Sequence, residues 1–192
     1  MASQPVSCLT PEQYLALDRE SSIRHEYVNG ETIARSGGSP RHALVIANVL
    51  WALKKRAEGK PCMVFSSDLR VSAGWASLIC YPGAAVLCDR PKYTGDKRDT
   101  ITNPALVVEV LSPSTTAFDR GEKSRRYRLL PSVLEYLLID PAAIDVEHYR
   151  RLPNGNWELA TVRDRGGAIQ LAPLAGELPL AEIYSAIELL DE

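Results

Sequence analysis

Glu109 and Lys123 are the residues whose surroundings ask for chemistry. Residues 104–111 read Pro-Ala-Leu-Val-Val-Glu-Val-Leu, apolar throughout except for one carboxylate, and such a run predicts a central strand. A period of two sets Ala105, Val107, Glu109 and Leu111 on one face, so Glu109 falls between apolar neighbours. An ionised carboxylate there is costly unless it is paired, coordinated or protonated. A functional role and a purely structural pairing with an arginine both satisfy that demand. The strand is followed by the hydroxyls Ser112, Ser114, Thr115 and Thr116, and then by Asp119-Arg120-Gly121-Glu122, which reads as a capping box opening a basic helix. Lys123 would then lie in the first turn, where a cation opposes the helix dipole. That placement makes sense if the ammonium faces a phosphate or Glu109; an exposed, solvated lysine is the alternative. Arg125, Arg126 and Arg128 form either a solvated helix face or unspecific contacts to a DNA backbone. Glu26 and His42 carry weaker signals, and His25 and His148 none.

The elements that must position these residues are legible in outline. Thr10-Pro11-Glu12-Gln13 combines a hydroxyl cap, a first-turn proline and a glutamine three residues after the cap, and so opens a short helix. In residues 25–35, Asn29-Gly30 between two extended runs predicts a hairpin. Ser39-Pro40 starts a second helix, with Leu44, Val45, Val49, Leu50 and Leu53 at helical spacing, ending at Gly59-Lys60-Pro61. Residues 62–72 and 78–88 read as two strands of one hairpin turning near Gly74-Trp75-Ala76. Asp89 to Asn103 is a charged surface loop. Further strands are expected at 134–140, 144–151 and 157–162, and a closing helix from Leu180 to Leu190. The expectation is one α/β domain over residues 1–192, with a C-terminal hairpin and helix from about 144.

Composition narrows the function classes. Apolar residues make up 45% and charged residues 24% of the 192, the balance of a globular protein. No run approaches the roughly 20 apolar residues of a membrane helix, and the N-terminus has no signal-peptide pattern, so a cytoplasmic protein without membrane contact is expected. Lys and Arg number 22 against 24 Asp and Glu, so any phosphate site must be local rather than a product of net charge. The four cysteines, Cys8, Cys62, Cys80 and Cys88, have no zinc-ligand spacing and are expected to be reduced, mostly buried thiols.

The successive blocks HEYVNGE, SPRHALVIANV, SSDLRVS, YPGAAVLCD, NPALVVEVLSPSTTAFDRGEKSRRY and VLEYLLID resemble the Uma-two family of the PD-(D/E)XK nuclease superfamily, over residues 10 to about 151. Several blocks in order are far more specific than any one. The resemblance implies a restriction-endonuclease-like central mixed sheet flanked by helices, and hydrolysis of DNA phosphodiesters with magnesium or manganese. It implies Glu109 as a metal ligand, Lys123 as the lysine drawn from the following helix, and Glu26 as an accessory acid. Arg120, Arg125 and Arg126 become candidates for the DNA backbone, and a homodimer is the expected assembly.

The chain departs from that pattern at one position. Where the family has Tyr-Pro-Asp, this sequence reads Tyr81-Pro82-Gly83, so the metal-ligating aspartate is missing. Asp89 lies too far along the strand, at about 20 Å. If 62–72 and 78–88 pair about a turn near 75, Asp68 opposes position 83 at roughly 5 Å and would partly fill the vacancy; a structural Asp68 beside an impaired site is the alternative. The functional expectation is therefore a metal-dependent endonuclease impaired at Gly83. Its alternative is a catalytically inactive nuclease-fold protein acting as a DNA-binding or structural dimeric module.

Overall fold

The computed structural model describes residues 8–35 and 37–190; residues 1–7, on which part of the N-terminal reading rests, lie outside them. Its spine is a six-stranded mixed sheet in the order β11-β10-β9-β8-β6-β3. β8 (Leu106–Val110) is central, antiparallel to β6 (Ala84–Leu87) and parallel to β9 (Glu135–Asp140), and every one of its residues is buried. β3 (Met63–Ser66) closes one edge. β10 (Asp145–Arg151) and β11 (Trp157–Val162) close the other, so the hairpin after residue 144 extends the main sheet instead of standing beside it.

A second sheet of five strands, in the order β2-β1-β5-β4-β7, packs on one face of the first. β1 (His25–Val28) and β2 (Glu31–Ala34) form the expected hairpin, with Asn29 and Gly30 both at positive φ, 49° and 97°. Glycine is required at position 30 for a second reason, because a Cβ would come within 2.8 Å of the Cys8 Cβ. The remaining strands are β4 (Arg70–Ser72), β5 (Leu78–Cys80) and β7 (Thr100–Ile101). β7 lies parallel to β4 inside the segment read from sequence as a loop.

The single hairpin expected over 62–72 and 78–88 is therefore split between two sheets: β3 pairs with β6 in the large one and β4 with β5 in the small one. The split follows from a turn after Ser66, whose carbonyl accepts from Leu69 N. On the returning strand it follows from Pro82, which has no N–H to continue a ladder. β4 and β5 keep the expected register, with Val71 facing Cys80, but β3 and β6 are shifted by one residue. Ser66 faces Ala84, so position 83 does not oppose Asp68.

Helix α1 (Pro11–Glu20) carries the expected capping box and covers the far face of the small sheet through Tyr14 and Leu15 against Tyr27 and Ile79. α2 (Pro40–Ala57) buries Val45, Val49, Ala52 and Leu53 on the other face of the large sheet, against Ala84, Val86, Val108 and Val110. The same core takes in the hairpin of β12 (Ala168–Leu171) and β13 (Gly176–Pro179) and the short α5 (Leu180–Ile183). The long closing helix is broken after Ile183 and resumes as a 3-10 turn at Ile187–Leu190. Asn48 of α2 donates to the carbonyls of Ile183 and Ser185, which are thereby taken out of helical use. Among the described residues no helix is long and apolar enough to cross a membrane.

Two expectations are corrected. Cys62 and Cys88 form a disulfide, because the β3–β6 register places them as the next facing pair beyond Met63 and Leu87, with Cα atoms 4.0 Å apart. Cys8 and Cys80 remain thiols. Asp119 does not cap a helix. The helical run starts earlier, at α3 (Thr116–Phe118), passes through a π-helical turn (Asp119–Lys123), and continues as α4 (Ser124–Leu129). Lys123 is thus inside the run and not in a first turn.

One buried polar knot ties α1 to the inner strands of the small sheet. Asp18 accepts from His25 N at 2.8 Å, from Arg70 at 2.8 Å and from the Tyr81 hydroxyl at 2.5 Å. Burial pushes its carboxyl up, but these donors outweigh burial and hold it below the usual range. Replacing Asp18 by Ala leaves the Arg70 guanidinium with Asp99 as its one carboxylate partner and strips the buried Tyr81 hydroxyl and His25 N–H of their acceptor. We expect a cost of about 3–5 kcal/mol and a fall of about 10 °C in the thermal midpoint, measured by urea and thermal denaturation against the parent.

Candidate active site

The two sheets meet at the C-terminal end of β8, and the polar residues of that interface converge there. Glu109 points from β8 toward the small sheet, on the same face as Val107 and Leu111. Glu26, in β1, comes from the opposite side, because its neighbour Tyr27 turns toward α1. The π turn supplies the third wall. Ser124 N bonds back to the Asp119 carbonyl, one residue farther than in an α-helix, and Asp119 and Lys123 both turn inward. The Tyr136 hydroxyl donates to that same carbonyl and pins the turn to β9.

At the centre is the Lys123 ammonium. It lies 3.0 Å from Glu26 Oε1, 3.2 Å from Glu109 Oε1 and 3.0 Å from Asp119 Oδ1. Lys123 and Asp119 are 1% exposed, Glu109 2% and Glu26 4%. Arg35, at the end of the hairpin, donates to Glu26 Oε1 at 3.0 Å and to the Tyr81 carbonyl. Burial would lower the Lys123 amine, but Glu109, Glu26 and Asp119 outweigh it and hold it well above its ordinary value. Burial pushes the Glu109 carboxyl up to about 7; Lys123 pulls the other way, while Asp119 and Glu26 add to the rise.

This cluster lies along a cavity of about 510 Å³ whose walls include Arg35, His42, Ser112, Ser114 and Thr115. His42 Nε2 is 3.0 Å from the Val110 carbonyl and donates to it, so the imidazole is fixed against the end of β8. Burial lowers its pKa. Gly38 is needed at this wall, since a Cβ would meet His42 Nδ1 at 2.3 Å.

Of the residues singled out from sequence, Glu26, Glu109 and Lys123 are brought together. Asp68 is not: it sits in the exposed turn between β3 and β4 and pairs with Arg24. Gly83 abuts β8 next to Glu109, and a Cβ there would lie 3.2 Å from the Val108 carbonyl oxygen. Arg120, Arg125 and Arg126 are on the outside of the helical run, each tied to a carboxylate: Arg120 to Glu147, Arg125 and Arg126 to Glu122. Asp119 and Arg35 were missed. The spacing of four between Asp119 and Lys123 was the available signal for the first; nothing local marks the second.

The oxygens of this cluster do not fit the divalent cation that the resemblance implies. Glu26 Oε1 already accepts from Lys123, Arg35 and Tyr81 N. Glu109 Oε1 and Asp119 Oδ1 face the same ammonium, and position 83 offers no oxygen. Among the described residues, with Lys123 seated where it is, no three acidic, histidine or cysteine side chains are arranged as a group that could hold a metal ion.

The family described as Uma2, "Putative restriction endonuclease", matches residues 11–181. Two uncharacterized proteins of Synechocystis sp. are similar. One is 31% identical over 164 residues, 85% of this chain and 93% of the relative; the other is 35% identical over 157 residues, 81% and 80%. The crystal structure of a "putative nuclease belonging to DUF820" from Anabaena variabilis matches with a TM-score of 0.74, covering 93% of this chain and 99% of that one. At 17% identity that likeness shows a shared fold.

A carboxyl raised on folding keeps a proton that the unfolded chain has released, so its contribution to stability falls as pH rises from about 4.5 to about 7. Glu109→Gln removes that titration. We expect the stability of the parent relative to Glu109→Gln to decline across this window and to level off above it, as read by urea denaturation at stepped pH.

Proposed function

The chain belongs to the Uma2 family of putative restriction endonucleases, and from that membership we propose that its cavity hydrolyses phosphodiester bonds of DNA, with Glu109 and Lys123 as the reacting centre. The observation that carries the reading is the buried Lys123 ammonium touching Glu26, Glu109 and Asp119 along a cavity also lined by Ser112, Ser114 and Thr115. Such a group of charges in a low-dielectric cleft is costly to maintain for structure alone.

In this reading a water oxygen bonds to phosphorus as the P–O bond to one sugar oxygen breaks, the departing oxygen taking a proton from solvent, and Lys123 meets the charge that builds on a phosphoryl oxygen. Glu109, with its carboxyl near neutrality, accepts the proton of that water. Glu26 and Asp119 position the amine, and Arg35 positions Glu26. Ser112, Ser114 and Thr115 offer hydrogen bonds to a strand entering the cavity. Magnesium or manganese has no complete set of oxygens here, and no step is assigned to it. DNA is the proposed partner and a homodimer the proposed assembly.

A second reading is favoured by one observation, the missing side chain at Gly83. In it the chain keeps the nuclease fold without catalysis and acts as a DNA-binding or structural module.

Nicking of supercoiled plasmid separates the two, run in chelator, in magnesium and in manganese. We expect the parent to nick, and Glu109→Ala and Lys123→Ala each to lose at least about 100-fold in rate. Parent activity that survives both substitutions would sink the first reading; cleavage appearing only in Gly83→Asp would establish the second.

A further inference from the structure

We infer that Lys123 is the resident cation of this cavity: its ammonium holds the point where Glu26, Glu109 and Asp119 converge, and the parent protein thereby keeps divalent cations out. The inference concerns the same cavity as the proposed reacting centre, but it does not require that centre to hydrolyse anything.

Three facts carry it. Three carboxylate oxygens stand at 3.0, 3.2 and 3.0 Å from this ammonium: those of Glu26 and Glu109 accept hydrogen bonds from it, and Asp119 Oδ1 faces it by charge alone. A magnesium or manganese ion at the same point would need those oxygens at roughly 2.0–2.2 Å and would displace the amine. Second, the amine has nowhere cheaper to go. It is 1% exposed, hemmed in by the Phe118 ring with its centroid 5.6 Å away, and carried on a π turn whose Asp119 lies four residues back on the same inward face. Third, the charges are nearly closed without a metal. Three carboxylates stand against Lys123 and Arg35, and Arg35 also ties up Glu26. Those three carboxylates exceed the two cations by one formal charge; a fourth carboxylate at position 83 would have raised the surplus to two, that of a divalent ion, and glycine there does not. The lost side chain and the seated amine describe one arrangement.

The test is divalent-ion binding by the full chain, followed through the electron paramagnetic signal of free Mn²⁺. The parent should bind no Mn²⁺ with a Kd below about 1 mM. Lys123→Met uncovers the three carboxylates, so it should bind at least about ten-fold more tightly, and its melting temperature should rise by about 5 °C in millimolar Mn²⁺ or Mg²⁺ while that of the parent stays put. Sub-millimolar Mn²⁺ binding by the parent that Glu109→Gln abolishes would overturn the inference. So would a folded Lys123→Met protein indifferent to divalent ions. If Lys123→Met does not fold, the parent titration decides alone. A parent that binds Mn²⁺ tightly defeats the resident-cation inference and leaves hydrolysis open. A parent that never nicks DNA defeats the hydrolytic reading and leaves Lys123 in place.

Discussion

A carboxylate on a strand buried on both faces has to find its counter-charge outside its own sheet. β8 offers only Leu106, Val107, Val108 and Val110 beside Glu109, and Leu138, which faces Glu109 from β9, is apolar too. The compensation comes from Lys123, on the helical run that follows β8, and the π turn of that run carries both Asp119 and Lys123 buried against the sheet interface. The irregular turn and the buried acid are thus parts of one solution.

The same interaction relates the two sheets. Elsewhere they meet through Val71, Leu78 and Cys80 on one side and Ala85, Val107 and Leu138 on the other, contacts that are non-directional. Glu26 to Lys123 to Glu109 is directional, and it links β1, the helical run and β8 through a single atom. Arg35 extends the link to the Tyr81 carbonyl, and Tyr81 in turn reaches Asp18 on α1. A polar chain therefore runs from the first helix to the middle of the large sheet, satisfied at nearly every atom and enclosed by apolar residues. Networks of this kind hold geometry well, because a displaced member leaves a buried charge without a partner.

On the outer side of the helical run the arginines are held by local ion pairs. Arg120, Arg125 and Arg126 each answer a nearby glutamate, which accords with a net charge of −2 and leaves no broad basic face on that helical run. The cavity is different: Arg35 and His42 line it together with hydroxyls of the β8 exit loop. Whatever recognition this protein performs there must be short-ranged, since exposed charges fade within about 10 Å at ordinary salt.

Several features were decided by the chain's local chemistry alone. The capping box at Thr10, the Asn29-Gly30 hairpin, the Ser39-capped helix and the central strand at 106–110 each follow from interactions between residues close in sequence, and the periodicity of β8 set which face Glu109 takes. Tertiary structure alone decided that 62–88 divides between two sheets, that Cys62 meets Cys88, and that Asp68 faces water. It also turned Asp119 from an apparent cap into a partner of the buried amine and brought Arg35 to Glu26. The reason is common to all of these. Capping, turns and alternation are energies of neighbouring residues, whereas register between distant strands and the meeting of charges from β1, β8 and the π turn depend on how whole layers stack, which no local pattern encodes.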